Sequence, residues 1–432
     1  MHQPHLLGEP LRLPDSLWAA TAIPAPGISQ LTDERSADVL IIGAGFTGLA
    51  AAIELGQAGK RVAVVDAAEP GWGASGRNNG QVIAGLKQDP DVIEALYPGD
   101  TGRKLVRFGS EAPSVVFRLI QEFGIDCAAS SKGWIQPAFT RSGLRAVEHR
   151  CRAWQERGVE ARMLEQDELA SLLGTRHYQR GWLDPRGGSI QPLSYARGLA
   201  QAALSQGASI FSNTQITRLE QRSGRWHAES DMGGIEAPNV IVATGAYNRH
   251  LVPDLHTSIV PVRTAQVATR PLPEDMRRQI LPQGHISSDT RQLLTSFRLS
   301  PDGRLVMGGS GATAGLSHAH IVPFLHKAGN TLFRHLGKLE WEYQWSGYFA
   351  VTTDHLPHVH EPAPGMHISL GCNGRGIAIS TALGIELAQR VLGAQSLSVP
   401  VSDIRSIPFH TFRHLGVAVA TRYKRLQDTL GI

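Results

Sequence analysis

Cysteine is scarce. Only Cys127, Cys151 and Cys372 occur in 432 residues. An odd number without metal-site spacing excludes a disulfide framework and a cysteine-built metal centre. Long apolar runs are also missing, since no stretch reaches the ~20 residues that span a bilayer. The opening segment, MHQPHLLGEPLRLPDSLW, places prolines and acids where a signal peptide carries an apolar core. A cytoplasmic chain with a leader segment over residues 1–36 is therefore expected, without an integral membrane segment. Charge of one sign is lacking too: the formal balance is only +4, although the pI is about 9.0. The basic residues are scattered arginines without a Lys/Arg block, which argues against a nucleic-acid partner. What remains is 42% hydrophobic and 19% charged, an ordinary globular enzyme, and too long for one core.

The informative stretch is ADVLIIGAGFTGLAAAIEL, residues 37–55. Asp38 to Ile42 reads as a buried parallel strand, short and almost wholly apolar. Gly43-Ala44-Gly45-Phe46-Thr47-Gly48 then fits G-x-G-x-x-G, and helical spacing continues to Gly59. RVAVVD resumes as a strand and ends in Asp66, 18 residues beyond Gly48. Gly43 permits the tight turn, Gly45 admits a pyrophosphate to the backbone, and Gly48 lets helix and strand approach. The helix N-terminus offers amides to the phosphate, and Asp66 a carboxylate to a ribose hydroxyl. The residues after Asp66 favour FAD over NAD. From Ala67, AAEPGWGASGRNNGQV is a long Gly/Ser/Asn segment where a nicotinamide enzyme starts another helix. Such a segment supplies backbone donors and little bulk, which suits a flat polar ring.

GWGASGRNNGQV together with the first unit resembles the glycine/D-amino-acid oxidase (DAO) superfamily of FAD-dependent amine oxidoreductases. Within it, the likeness is to gamma-glutamylputrescine oxidoreductases and L-pipecolate oxidases. It extends through DPRGGSIQPLSYARGLAQAALSQGA, NVIVATGAYN, SSDTRQLLTSFRLSPDGRLVMGGSG, WSGYFAVTTDHLPHV and GCNGRGIAIST, in order. The resemblance implies an α/β fold: a Rossmann-like FAD-binding domain with an inserted β-rich substrate domain, of glutathione-reductase-2-like architecture. Residues 37–88, 184–250 and 345–393 would form the FAD domain, 89–183 and 251–344 mainly the substrate domain, and 394–432 a tail. It also implies cofactor contacts from Gly73, Ala74, Ser75, Arg77, Asn78, Asn79, Gly80 and Gln81. Backbone at Ile216 would lie beside the adenine, and Ala243, Thr244 and Gly245 near the FAD. The isoalloxazine would lie against Asn373, Gly374, Arg375, Gly376 and Ile377. There the amides opening a helix would stabilise negative charge on the reduced ring. Asn79 replaces a glycine of related sequences and is expected to keep the loop, since Asn tolerates left-handed backbone. In one branch a cysteine shortly before T-x-D bonds the flavin. Here Trp345-Ser346-Gly347-Tyr348 stands there, so FAD is expected to be non-covalent.

The implied reaction oxidises the CH–NH bond of an amine or amino acid, with a secondary amine favoured, to an imine. The electron acceptor is oxygen or, alternatively, a quinone or other carrier. Relatives active with oxygen carry a lysine on the strand matching RLVMGG, and none occurs here. A flavin-binding redox sensor without turnover is the remote alternative. The amino-acid branch grips its carboxylate with an arginine where this chain has Phe349, which leaves Arg291 and Arg298 as alternative clamps on opposite faces of a strand. Tyr348, Phe349, Trp345 and Trp134 are the pocket candidates, each also readable as core. His355, His358 and His360, with His318 and His320, lack the cysteine or acid partners of a defined site, so no metal is expected.

Overall fold

The computed structural model describes residues 5–248, 251–313, 321–395 and 397–430. Strand Val39–Ile42 is buried at all four positions, and each such aliphatic side chain contributes about 1.5–3 kcal/mol relative to exposure. That run is apolar on both faces because parallel neighbours flank it, Val62–Val65 on one side and Asn239–Val242 on the other. The sheet continues outward to Ser209–Phe211 at one edge. At the other it passes through Met366–Leu370 to the antiparallel His358–His360. Strands from the start, middle and end of the sequence thus lie side by side. Helix Phe46–Gln57 follows the first strand; Ala50, Ala51, Ala52, Ile53 and Leu55 are all buried. A helix apolar nearly all round belongs inside, and this one packs between Pro192–Ser205 and Gly376–Val391.

A second sheet has eight strands. From one edge they run Trp341–Val351, Val260–Thr269, Leu305–Thr313, Thr295–Leu299, Ile286–Ser288, Trp134–Pro137, Gly181–Asp184 and Arg162–Leu164. Ile135, Phe297, Met307 and Leu325 form part of a separate core beneath it. A four-stranded sheet, Arg218–Arg222, Arg225–Glu229, Gly234–Ala237 and Glu34–Ser36, flanks the parallel one.

Several segments differ from expectation. Trp341–Val351 pairs along its length with Val260–Thr269, so the boundary drawn at residue 345 falls inside one strand of the larger sheet. Helix Asp100–Glu122, expected with the substrate lobe, contributes Leu105, Ala112, Val116 and Leu119 to the core of the parallel sheet. Residues 141–173 form two helices, Arg141–Gln155 and Gln166–Leu173, with strand Arg162–Leu164 between them. Residues 1–36 are more than a leader: Leu17, Trp18 and Leu31 are wholly buried. Ser16 caps helix Leu17–Thr21 by accepting from the Ala19 N–H at 3.1 Å. The tail contains helix Arg413–Leu430, tied down where Asp428 accepts the Gln292 and Leu293 amides at 2.8 and 3.1 Å. No helix of the described residues is long and apolar enough to cross a membrane.

Candidate active site

The glycine turn shows why side chains are excluded. Gly43 has φ +113°, and a Cβ there would meet the Ala243 carbonyl oxygen at 2.7 Å. A Cβ on Gly48 would sit 1.9 Å from the Gly43 oxygen, so the helix could not lie on its own strand. Gly45 is the N-cap of Phe46–Gln57 and brings no capping side chain; the Phe46 amide meets Ser75 Oγ at 3.0 Å instead. Asp66, half-buried, accepts the Ala44 amide on Oδ2 at 2.7 Å and the Ala68 amide on Oδ1 at 2.9 Å. Burial pushes its carboxyl up to about 6, against the opposing pull of those two amides.

These residues open onto a cleft of about 1170 Å³. Its wall brings together Gly43, Gly45, Phe46, Thr47, Asp66, Ala67, Gly73, Ala74, Ser75, Ile216, Ala243, Thr244 and Gly245, with Phe349 from the larger sheet. Thr244 Oγ1 is buried there without a hydrogen-bond partner among the described residues. Sequence reasoning missed Trp72, Thr214, Gln215, Tyr247, Leu251, Ser369, Leu370, Ser380 and Leu383, and had Gly371 and Cys372 only as the start of the GCNGRGI turn. Trp72 and Tyr247, edge to face at 5.0 Å, adjoin motifs already singled out, and their aromatic character was the available signal. Burial raises the Cys372 thiol above its ordinary value.

Other candidates lie behind the wall. Arg77 is buried with its guanidinium 4.6 Å over Trp72; Nε donates to the Trp72 oxygen at 2.8 Å and NH1 to the Ser346 oxygen at 3.3 Å. Asn78 Nδ2 donates to the Ala74 and Ser75 oxygens, and its Oδ1 accepts the Gly80 amide. Asn79 is not left-handed as expected; Gly80, φ +78°, takes that conformation, and Asn79 Nδ2 reaches Gln266 Oε1 at 2.8 Å. Gln81 Nε2 donates to the Ser287 and Phe297 oxygens. The loop is therefore braced from behind by its own side chains.

At the C-terminal turn, Asn373, φ +49°, accepts the Thr352 amide at 3.0 Å and donates to the Gly371 oxygen at 2.7 Å. Helix Gly376–Val391, which includes Gly376 and Ile377, starts with no side-chain cap. Gly374 is exposed beside Phe349, while Arg375 turns NH1 to the Ala84 oxygen at 2.7 Å.

The expected clamps are engaged elsewhere. Arg298 is buried, its NH1 on the Gly80 and Ile190 oxygens at 2.8 and 2.5 Å. Arg291 pairs with Asp289 at 2.6 Å and stacks on Phe139. The alternation argument fails for this pair because the strand begins at Thr295, after Arg291. Of the aromatic wall, Phe349 alone reaches the cleft. Tyr348 is buried under Arg263; Trp345 packs on Trp18; Trp134 donates to Ser288 Oγ at 2.8 Å against Trp182. Among the described residues no group of three or more His, Cys, Asp or Glu is placed to hold a metal ion. His358 pairs with Asp354 and His360 meets the Ser402 oxygen, whereas His318 and His320 lie outside the described residues.

The glycine turn, the cleft and the acid at the second strand's end agree with a sequence match over residues 38–390 to the family described as DAO, FAD dependent oxidoreductase. The chain belongs to this FAD dependent oxidoreductase family. As a DAO-family enzyme it uses FAD. It is 29% identical over 427 residues to the gamma-glutamylputrescine oxidoreductase of Escherichia coli K12, covering 96% of this chain and 99% of that one. A probable oxidoreductase OrdL of Haemophilus influenzae is 30% identical over 369 residues, 84% of each chain. Among solved DAO-family folds, glycine oxidase from Geobacillus kaustophilus superimposes with a TM-score of 0.71 at 22% identity, over 87% of this chain and 99% of its own.

Proposed function

We propose that this enzyme oxidises the CH–NH bond of an amine or amino acid, with secondary amines favoured, to an imine that water hydrolyses. The named activities of the gamma-glutamylputrescine oxidoreductase and glycine oxidase relatives support that substrate class. The observation that carries the reading is the convergence on one cleft of the Gly43–Gly48 turn, the Gly73–Ser75 segment and the Gly371–Cys372 turn.

Bound FAD supplies a hydride acceptor at its flavin N5. The cleft suits such a group in two respects: Gly245 faces open space, nothing lying within 4 Å of where its Cβ would be, and Thr244 Oγ1 lacks a partner among the described residues. Gly43, Gly45 and Thr47 would take the diphosphate at the helix N-terminus, and Asp66 a ribose hydroxyl. Ile216 would lie by the adenine, while Gly73 to Ser75 and the turn from Gly371 would enclose the ring. The helix from Gly376 points its positive end at that turn and favours negative charge there. Phe349 offers the substrate an apolar wall that excludes water from the reacting carbon. With no cysteine in Trp345–Tyr348 and a protonated Cys372 thiol, FAD is held without a covalent bond.

Oxygen is the proposed acceptor, with hydrogen peroxide as product. The absence of lysine from Arg304–Gly309 favours, as a second reading, a dehydrogenase that passes electrons to a quinone or other carrier. Anaerobic addition of amines and amino acids to purified protein is expected to bleach the visible flavin absorbance. Admitting air should restore the colour and yield one peroxide per flavin. Bleaching without reoxidation in air would select the dehydrogenase, and a flavin indifferent to every amine would end the proposal.

A further inference from the structure

Among the described residues, the four most exposed large apolar side chains all lie near the C-terminus. They are Phe409, Phe412, Val419 and Tyr423, with Phe409 83% exposed, and Leu426 is exposed as well. Val419, Tyr423 and Leu426 belong to helix Arg413–Leu430, and Phe412 stands directly before it. At about 100° of rotation per residue these four fall within roughly 80° of one another, on a single stripe. Gly416 shares the stripe, and nothing lies within 4 Å of where its Cβ would be. An apolar stripe on a helix ordinarily faces a core; this one faces outward.

The helix is not free to roll the stripe inward. Asp428, on its opposite side, accepts the Gln292 and Leu293 amides at 2.8 and 3.1 Å. Ahead of the helix, His410 Nε2 meets the Ile259 oxygen at 2.9 Å, and the Ile407 amide donates to the Thr257 oxygen at 2.9 Å. Both ends are thus fastened to the rest of the chain.

Charge indicates what covers the stripe. Arg413 and Lys424 lie about 100–120° to one side of it and Arg422 about 80° to the other. Arg422 and Lys424 are exposed and join no ion pair among the described residues. The helix sequence holds one acid, Asp428, which is already engaged by the two amides. Two copies packed stripe to stripe would bring these cationic edges together with no acid to answer them. The five apolar side chains together offer on the order of 600 Å², below the about 800 Å² per partner of a stable protein–protein interface. A bilayer with anionic headgroups suits both features, giving acyl chains to the stripe and phosphates to the flanking cations.

We propose that helix Arg413–Leu430, with Phe409 and Phe412, is a docking surface for an anionic lipid bilayer, lying in the headgroup plane without crossing it. Seating the enzyme there brings lipid-dissolved electron carriers to it, as the dehydrogenase reading of the acceptor requires. Docking itself is read without turnover and does not depend on that choice.

The test sediments the full-length holoenzyme with vesicles of phosphatidylcholine, and with vesicles of phosphatidylcholine and phosphatidylglycerol in equal parts. Wild type is expected in the pellet with the anionic vesicles and mostly in the supernatant with the neutral ones. High salt should return it towards the supernatant by screening the cations. The variants F412S/L426S and R422E/K424E should each keep flavin content and melting temperature, because these side chains are exposed. Each should partition onto the anionic vesicles at least about tenfold more weakly. Wild type that stays in the supernatant with both vesicles, or binds both equally, would overturn the proposal. So would binding that both variants retain. The oligomeric state is measured by analytical ultracentrifugation without lipid: a wild-type dimer that F412S/L426S dissociates would assign the stripe to a second copy and overturn docking, and a monomer agrees with it.

Discussion

Asp66 sits in a place that suits a ligand better than it suits the empty fold. Its carboxyl is raised to about 6 from an ordinary value near 3.8, chiefly by burial, so the folded chain prefers it protonated. The unfolded chain gives up that proton near pH 4. Stability from this group is therefore fullest below pH 4, declines as pH rises towards 6, and stays lower above it. In cofactor-free protein, thermal unfolding of the wild type should lose ground to D66N between pH 4 and 7, and a parallel pair of curves would refute this. The same variant should bind FAD about tenfold more weakly, because Asn offers one acceptor oxygen where the acid offers two. Residue-scale reading was strongest where the reason for a residue is local. Gly43 and Gly48 answer to atoms of their own turn and of the neighbouring strand, and a spacing motif records that. Arg291 and Arg298 answer to Asp289, Gly80 and Ile190, whose proximity is made only by packing, so their type alone misled.

Among the elements, helices Phe46–Gln57 and Gly376–Val391 cross closely because of Gly384. A Cβ there would meet the Thr47 carbonyl oxygen at 2.3 Å and the Ala50 Cβ at 2.8 Å, both fixed backbone or core. G384A should destabilise by about 1–3 kcal/mol through overpacking and weaken FAD binding, since Thr47 is displaced. G416A is the control: Gly416 lies exposed in Arg413–Leu430 with nothing near its missing Cβ, and alanine there should be neutral or stabilising by up to about 1 kcal/mol. Equal melting temperatures for the two variants would contradict the crossing argument. Strands Val39–Ile42 and Val62–Val65 were legible because each is an unbroken apolar run that stops at a turn-forming residue, Gly43 or Asp66. Trp341–Val351 was divided between the two lobes at residue 345, because alternation reveals a strand without revealing its partner. Asp100–Glu122 was grouped with the substrate lobe although it packs into the core of the parallel sheet, since an amphipathic helix shows that it has a buried face but not against what.

Over the whole molecule, the cleft proposed for the cofactor is assembled from segments near residues 43–75, 214–251, 349–350 and 369–383. Binding free energy at such a site is also folding free energy: free FAD at a thousandfold excess over its Kd adds about 4 kcal/mol. Saturation with FAD should raise the melting temperature by several degrees, measured by calorimetry against cofactor-free protein. Acid precipitation of the holoenzyme should leave colourless protein and a yellow supernatant; colour in the pellet would mean a covalent bond, with Cys372 the thiol in reach of the cleft.

The placement of Met366–Leu370 beside Asn239–Val242 bears on how the enzyme is made. A chain still emerging from the ribosome has the glycine turn proposed for the phosphates early, but the wall proposed for the coloured ring is translated late. Loading with vitamin-derived cofactor thus becomes a closing event of biosynthesis, and cells short of riboflavin would accumulate full-length polypeptide waiting to be completed.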